Sequence, residues 1–414
     1  VPPGERCRCC IVGGGPAGMM LGFLLARAGV DVIVLEKHGD FLRDFRGDTV
    51  HPSTLELIHE LGLLDEFLRR PHQELREIRG MVGDTELTLA DFSHLPTRCR
   101  FVAFMPQWDF LDFLALHAKA YPGFALRMQA EATDLITAGG RVVGVRARTP
   151  EGELEIRADL VVGTDGRHSL VREKAGLAVE DIGAPMDALW MRLPRRPDDP
   201  EQPVGRFGAG EIYVMLNRGD YYQCALVIPK GGFTALKERG LEALRARIAA
   251  LAPFVGDRVG ALQSWDDLKL LTVAVDRLTE WWRPGLLCIG DAAHAMSPVG
   301  GVGINLAVQD GVAAANILYR PLLERSVTIA DLRAVQRRRE LPMRVIQRLQ
   351  VLVQNRIIGP TLGARAKPTP PWVLRLFARL PFMRRIPARL IGLGFRPEHI
   401  RTPEAAKGAP TRVP

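Results

Sequence analysis

A short apolar strand running straight into Gly13-Gly14-Gly15-Pro16-Ala17-Gly18 narrows what this chain can fold into more than any other feature. Cys9-Cys10-Ile11-Val12 reads as a buried parallel strand. Pro16 suits the first turn of a helix, where no N–H is needed. Met19 to Leu25 and Ala28 make that helix apolar, and Gly29 ends it. Val32-Ile33-Val34-Leu35 is a second buried strand, ending at Glu36. The spacing predicts a β-α-β unit of about 30 residues, the context in which a G-x-G-x-x-G pattern carries weight. Gly13, Gly15 and Gly18 let the chain turn tightly and approach a pyrophosphate, with Pro16 and Ala17 in the same turn. The helix N-terminus adds free N–H groups and a positive dipole end. Glu36, with Lys37 beside it, is placed to accept from ribose hydroxyls. A carboxylate there repels a 2′-phosphate, which favours FAD or NAD over NADP at this site.

Two further motifs follow in order. Gly163-Thr164-Asp165-Gly166-Arg167-His168-Ser169 leads into Val171-Arg172. Gly290-Asp291-Ala292-Ala293-His294 runs through Pro298 into Gly300-Gly301-Val302-Gly303-Ile304-Asn305. All three can close on one elongated dinucleotide. Leu286 to Ile289 reads as a buried strand that delivers Asp291 to ribityl or phosphate-proximal hydroxyls. Gly301, Gly303, Ile304 and Asn305 open a helix whose N–H groups face the pyrimidine end of an isoalloxazine ring. His294 reads as a packed or ring-adjacent residue more than as a proton carrier.

The 414 residues are 47% hydrophobic, enough for a large core. No apolar run reaches the length of a membrane span, and the start lacks the pattern of a secretory signal. The six cysteines are scattered and lack zinc spacing, so they read as small apolar residues of a reduced, cytoplasmic protein, with no metal site. Between Arg320 and Arg401 stand 17 Arg and one Lys against four acids. The net charge of +8 therefore belongs to the C-terminal region. That run reads as a solvated helical face, with peripheral contact to an anionic membrane as the sharper alternative. Aromatics do not interleave with it, which argues against nucleic acid.

Elsewhere, Pro52 to Leu68 and Trp108 to Tyr121 read as helices. Leu75 to Phe104 and Met186 to Val275 alternate as antiparallel strands, and Gly139-Gly140 marks a hairpin. Ile329 to Ile358 is a long helical pattern with an interruption at Pro342. The fold class is α/β.

In order and spacing, the three motifs resemble those of the FAD-dependent single-component aromatic hydroxylases, the para-hydroxybenzoate hydroxylase type, over roughly residues 10–356. The resemblance implies a discontinuous FAD domain (1–72, 107–182, 277–358) and an inserted substrate sheet (73–106, 183–276). Beyond it, the proline breaks and charge run read as a basic helical region (359–401) and a disordered tail (402–414). It implies that Asp165 and Gly166 contact the cofactor, with Arg167 and Arg172 holding the motif and the nicotinamide. Arg46 matches the arginine beside the flavin, Gln107 a polar cofactor contact, and Pro298 the proline facing the reactive side of the ring. Arg46 and Pro298 are the catalytic candidates. The implied cycle reduces FAD with a transient NADPH or NADH. Reaction with O₂ gives a flavin C4a-hydroperoxide that hydroxylates an electron-rich, usually aromatic, small molecule. Tyr213, Tyr222 and Gln223 are candidates for the pocket wall. A geranylgeranyl-reductase-like enzyme, a polyprenyl-quinone hydroxylase and a flavin-binding sensor remain open alternatives, as does an oligomer. A halogenase is disfavoured, because no Trp-x-Trp-x-Ile-Pro stretch occurs.

Overall fold

The computed structural model describes residues 5–42, 49–83, 85–200, 204–364, 376 and 380–406. Its central sheet places the strand Glu5–Val12 between Val32–Leu35 and Gly152–Gly163. Phe124–Arg127 continues the sheet on one side and Leu286–Cys288 on the other. These five strands are parallel, and the burial of Cys9 to Val12 and Val32 to Leu35 explains their continuous apolar runs. Glu131–Ala138 and Arg141–Thr149 form a hairpin that extends Gly152–Gly163. Its turn needs positive φ at two successive residues, which Gly139 and Gly140 supply.

The register brings the motifs together. Val12 stands opposite both Leu35 and Gly163, and Gly163 stands opposite Cys288. Three motif-bearing strands and the strand leading to Glu36 therefore end level, at the C-terminal edge where open α/β sheets bind ligands.

A second sheet of seven strands runs in the order Lys269–Leu271, Met186–Pro194, Tyr221–Pro229, Glu211–Asn217, Val204–Gly208, Glu77–Val82, Thr85–Asp91. It is antiparallel except where Val204–Gly208 meets Glu77–Val82. The helix Leu241–Leu251 covers one face, packing Leu244 and Ile248 on Met191, Met215, Cys224 and Leu226. Trp190, Ile212, Val214, Ala225 and Val227 lie on the other face, where Ile212 and Val227 cluster with Val299 of the third motif.

Three segments differ from the sequence expectation. Gln73–Leu75 and Val102–Phe104 do not enter the large sheet; Val102–Phe104 pairs with Gln73–Leu75 on one side and Thr49–Val50 on the other in a small separate one. The helix Ile329–Val353 passes Pro342 without a break. Its packing face (Leu332, Val335, Met343 and Ile346 in the main core) outweighs the one hydrogen bond that proline removes. Finally, residues 402–405 are anchored against the first helix. Arg27 donates to Thr402 O at 2.9 Å, Ala405 N–H donates to Arg27 O at 2.7 Å, and Tyr121 Oη donates to Glu404 at 2.8 Å. Residues 407–414 of the expected tail lie outside the described residues.

Candidate active site

At the level edge, Gly13 adopts φ +110°, and a Cβ there would lie 2.5 Å from Thr164 O. Gly13 N–H donates to Leu35 O at 2.8 Å. Thr164 Oγ1 lies 2.9 Å from Val12 O and 2.7 Å from Gly13 O. A Cβ on Gly18 would come within 2.1 Å of Gly13 O. The first and second motifs are thus pressed together with no room for a methyl group. Gly290, at φ +60°, fits between the first helix and the helix Gly303–Leu323; its Cβ would lie 3.0 Å from Ala17 Cβ and 3.5 Å from Ala307 Cβ. Both helices therefore begin beside the third motif. Neither has a side-chain cap or an acid in its first turn. Their unpaired N–H groups and dipole ends favour an anion there. A Cβ on Gly15 would meet only open space, which leaves that helix end approachable.

Glu36 is half-buried, with its carboxylate oxygens 3.0 Å from the N–H groups of Gly14 and His38. Lys37 is exposed, and Asp291 sits half-buried just past the strand Leu286–Cys288. Gln107 is the half-buried first residue of the helix Gln107–Ala118. Asp165 uses its carboxylate locally: Ser169 Oγ donates at 2.5 Å and Val171 N–H at 3.1 Å. Burial raises its carboxyl above the ordinary value against those bonds. What Asp165 and Gly166 (φ +86°) present outward is backbone. Arg172 pairs with Asp276 at 3.5 Å and donates to Arg167 O, so it braces the loop. Pro298 is exposed, and its carbonyl accepts from Gly301 N–H at 3.0 Å. Arg46 lies outside the described residues. Among the described residues no cluster of His, Cys, Asp or Glu has metal-site geometry.

Several supporting residues carry no motif. Thr49 Oγ1 donates to Gly301 O at 2.8 Å. Ser53 and Thr54 donate to Asn305 Oδ1 at 2.7 and 2.8 Å. The signal in sequence is weak: a His-Pro-Ser-Thr helix start, polar where the helix Pro52–Glu60 is buried. His51 lies between Ile391 O (2.8 Å) and Gly301 O (3.0 Å). Burial lowers its pKa from 6.5 against the pull of those two carbonyls. In the unfolded chain His51 regains its ordinary value, so below about pH 6.5 the unfolded state binds more protons and stability falls with pH. We expect the Tm of the FAD-loaded protein to drop on acidification from about pH 7 to about pH 5. The drop should be shallower in His51→Gln; parallel curves would remove His51 from the account.

His294 is fully buried, with Nε2 2.6 Å from Asp310 Oδ2. The same oxygen accepts from Gly290 N–H at 3.1 Å, and Arg339 Nε donates to Asp310 Oδ1 at 2.9 Å. Burial opposes ionisation of Asp310, but His294 and Arg339 hold its carboxyl below the ordinary range. His294 is therefore part of the brace behind the third motif.

Tyr213 and Tyr222 sit in the cluster under the helix Leu241–Leu251. They face away from Val299, and Gln223 lies on the opposite face.

Residues 6–349 match the family of FAD binding domains. Along its whole length the chain is 34% identical to 6-methylpretetramide 4-monooxygenase of Streptomyces rimosus, aligned over 416 positions covering 100% of this chain and 99% of that protein. The chain belongs to the FAD-dependent aromatic monooxygenases. It uses FAD, with NAD(P)H as reductant and O₂ as co-substrate. It is also 29% identical to dialkyldecalin synthase of Streptomyces rugosporus over 73% of this chain, spanning 63% of that longer protein. The structure of OxyS anhydrotetracycline hydroxylase from Streptomyces rimosus superposes with a TM-score of 0.72 at 25% identity, covering 94% of this chain and 76% of that one.

Proposed function

We propose that this monooxygenase hydroxylates a flat, polycyclic phenolic substrate held between the flavin and the second sheet. The phase of that sheet carries the reading. Trp190, Val214 and Leu216 are partly accessible on the face toward Val299, while the tyrosines are packed behind. Trp190, Val214 and Leu216 make an apolar stretch of wall suited to fused aromatic rings, with Gln223 and Arg192 on the same face. The full-length similarity to a monooxygenase of 6-methylpretetramide supports the same substrate class.

The residues fit FAD. Gly13, Gly15, Pro16, Ala17 and Gly18 offer the pyrophosphate an uncapped helix end, and Glu36 with Lys37 flanks the ribose. Asp291, with the backbone of Asp165 and Gly166, would border the ribityl chain. Gly301, Gly303, Ile304 and Asn305 at the second helix end would hold the ring together with Gln107, and the family resemblance adds Arg46 to that set. Bound FAD supplies electron transfer from NAD(P)H and the activation of O₂. The chain orients the substrate, excludes water and places positive dipole against developing negative charge. Pro298, exposed beside Val299, borders the reacting face.

The test is NADPH oxidation across phenols, anthraquinones and tetracyclic phenols, with product mass read after incubation under ¹⁸O₂. Incorporation of one labelled oxygen into a polycyclic phenol is expected. Trp190→Ala should raise KM for that substrate by roughly tenfold and leave the flavin spectrum unchanged. Stimulated oxidation without labelled product would overturn hydroxylation.

The remaining attributes are proposals of the same kind. All six cysteines are buried and unpaired, which supports a reducing, cytoplasmic setting. Among the described residues no helix is long and apolar enough to cross a membrane. Exposed Phe382 and Ile386 beside Arg385 and Arg389 favour peripheral contact with an anionic lipid surface over self-association of like-charged copies. Co-sedimentation with phosphatidylglycerol vesicles but not phosphatidylcholine vesicles is expected; equal recovery with both would count against it.

A further inference from the structure

At the opposite edge of the central sheet from the cofactor loops lies an open groove of about 610 Å³. Arg6, Arg141, Arg157, Arg325, Asp159 and Ser326 border it. Arg6 is six residues upstream of Val12, so the groove is about 20 Å from the glycine loops at ~3.3 Å per strand residue. It is not part of the cofactor site.

The charges here are left unbalanced in a way the next row of the same two strands is not. Arg8 pairs with Asp159 at 3.2 Å. One step away, Arg6 stands directly opposite Arg157 on the neighbouring strand. Like charges facing each other across strands are destabilising. The nearby acids do not relieve them. Asp159 is taken by Arg8, and Glu155 bonds Arg146 at 2.9 Å while lying 4.0 Å from Arg157. Arg6 and Arg325 have no carboxylate partner among the described residues. Arg325 follows the helix Gly303–Leu323 at φ +56°, a left-handed position usually given to glycine. Its charge also complements that helix end, which accounts for one of the four arginines. Arg141 donates to Asp159 O at 2.9 Å, so it is the facing pair that needs another explanation. A local cost without local compensation marks a site with an external partner.

We propose that this groove is a second binding site, for a phosphate-bearing polyanion up to nucleotide size. Guanidinium groups present planar pairs of donors that match phosphate oxygens, and several around one concavity suit a multiply charged ligand. The volume lies in the range of small-molecule sites.

The test uses FAD-saturated enzyme at low ionic strength, with inorganic pyrophosphate and ADP as probes in titration calorimetry. Wild type binds. The double variant Arg6→Gln/Arg157→Gln binds at least tenfold more weakly, and Arg98→Gln, an exposed arginine elsewhere, binds like wild type. Without anion the double variant melts no lower than wild type, because a repulsion has been removed. Pyrophosphate raises the Tm of wild type only. Tighter binding of ADP assigns the site to nucleotides, and equal binding assigns it to phosphate groups alone. No binding by wild type, or equal binding by the double variant, overturns the proposal.

Discussion

Gly13→Ala is expected to purify colourless. The residue sits at φ +110°, where an alanine is strained, and its Cβ would meet Thr164 O at 2.5 Å, Thr164 C at 2.6 Å and Asp165 N at 2.8 Å. All three are backbone atoms, so no rotamer change relieves the contact. The strand Glu5–Val12 and the strand Gly152–Gly163 are locked in register up to this point, so the loops cannot part without breaking the sheet edge. Strain plus overpacking here should cost about 3 kcal/mol or more, and FAD affinity should fall at least 100-fold. Gly15→Ala separates folding from binding. Gly15 has ordinary extended backbone and open space where its Cβ would go. It should keep the Tm of the FAD-free protein while weakening FAD, because the methyl occupies the approach to the helix end. Flavin absorbance after gel filtration and Tm with and without FAD read both effects. A yellow Gly13→Ala protein with wild-type Tm would overturn the packing argument. A Gly15→Ala protein that binds FAD normally would move the pyrophosphate away from that helix.

The contrast between these glycines shows which parts of the site a sequence can carry. The β-α-β unit, the three loops and their common edge follow from short-range patterns: apolar runs, glycines and their spacing. The phase of the substrate sheet does not. Tyr213 and Tyr222 look like pocket residues until the helix Leu241–Leu251 covers their face, and nothing within either strand says which face that helix takes. Asp165 shows a related limit. Its motif brings it to the cofactor edge, yet Ser169 and Val171, four and six residues on, claim the carboxylate. Supporting residues such as His51 and Thr49 lie some 250 residues from Gly301, so only the folded chain relates them. The anchoring of residues 402–405 was hidden for the same reason: Arg27 and Tyr121 supply the partners, and the tail itself has few apolar residues.

The brace behind the third motif should be the most sensitive point in the interior. Arg339 and His294 are 1% exposed and Asp310 0%, and Glu398 from the C-terminal segment closes the network at 3.3 Å from Arg339. Arg338 also bonds Glu398, at 2.6 Å, and Gln309 accepts from Glu398 N–H. Arg339→Met keeps most of the volume but leaves Asp310 with only His294 and the Gly290 N–H as partners. Breaking a buried ion pair from one side costs about 3–5 kcal/mol, because the remaining charge has lost both water and partner. Asp310 also fixes Gly290 N–H, so the damage should reach the cofactor loop next to Asp291. We expect Arg339→Met to lower Tm sharply and to release FAD at denaturant concentrations that leave wild type loaded. Glu398→Gln should cost less, since half-buried Arg338 can reach water and both arginines retain an amide acceptor. Asp310→Asn tests the link to the cofactor: the amide oxygen can still receive Gly290 N–H, so FAD binding should survive better than overall stability. If Arg339→Met falls within about 1 kcal/mol of wild type in flavin-release curves, the network is not what holds the third motif in place.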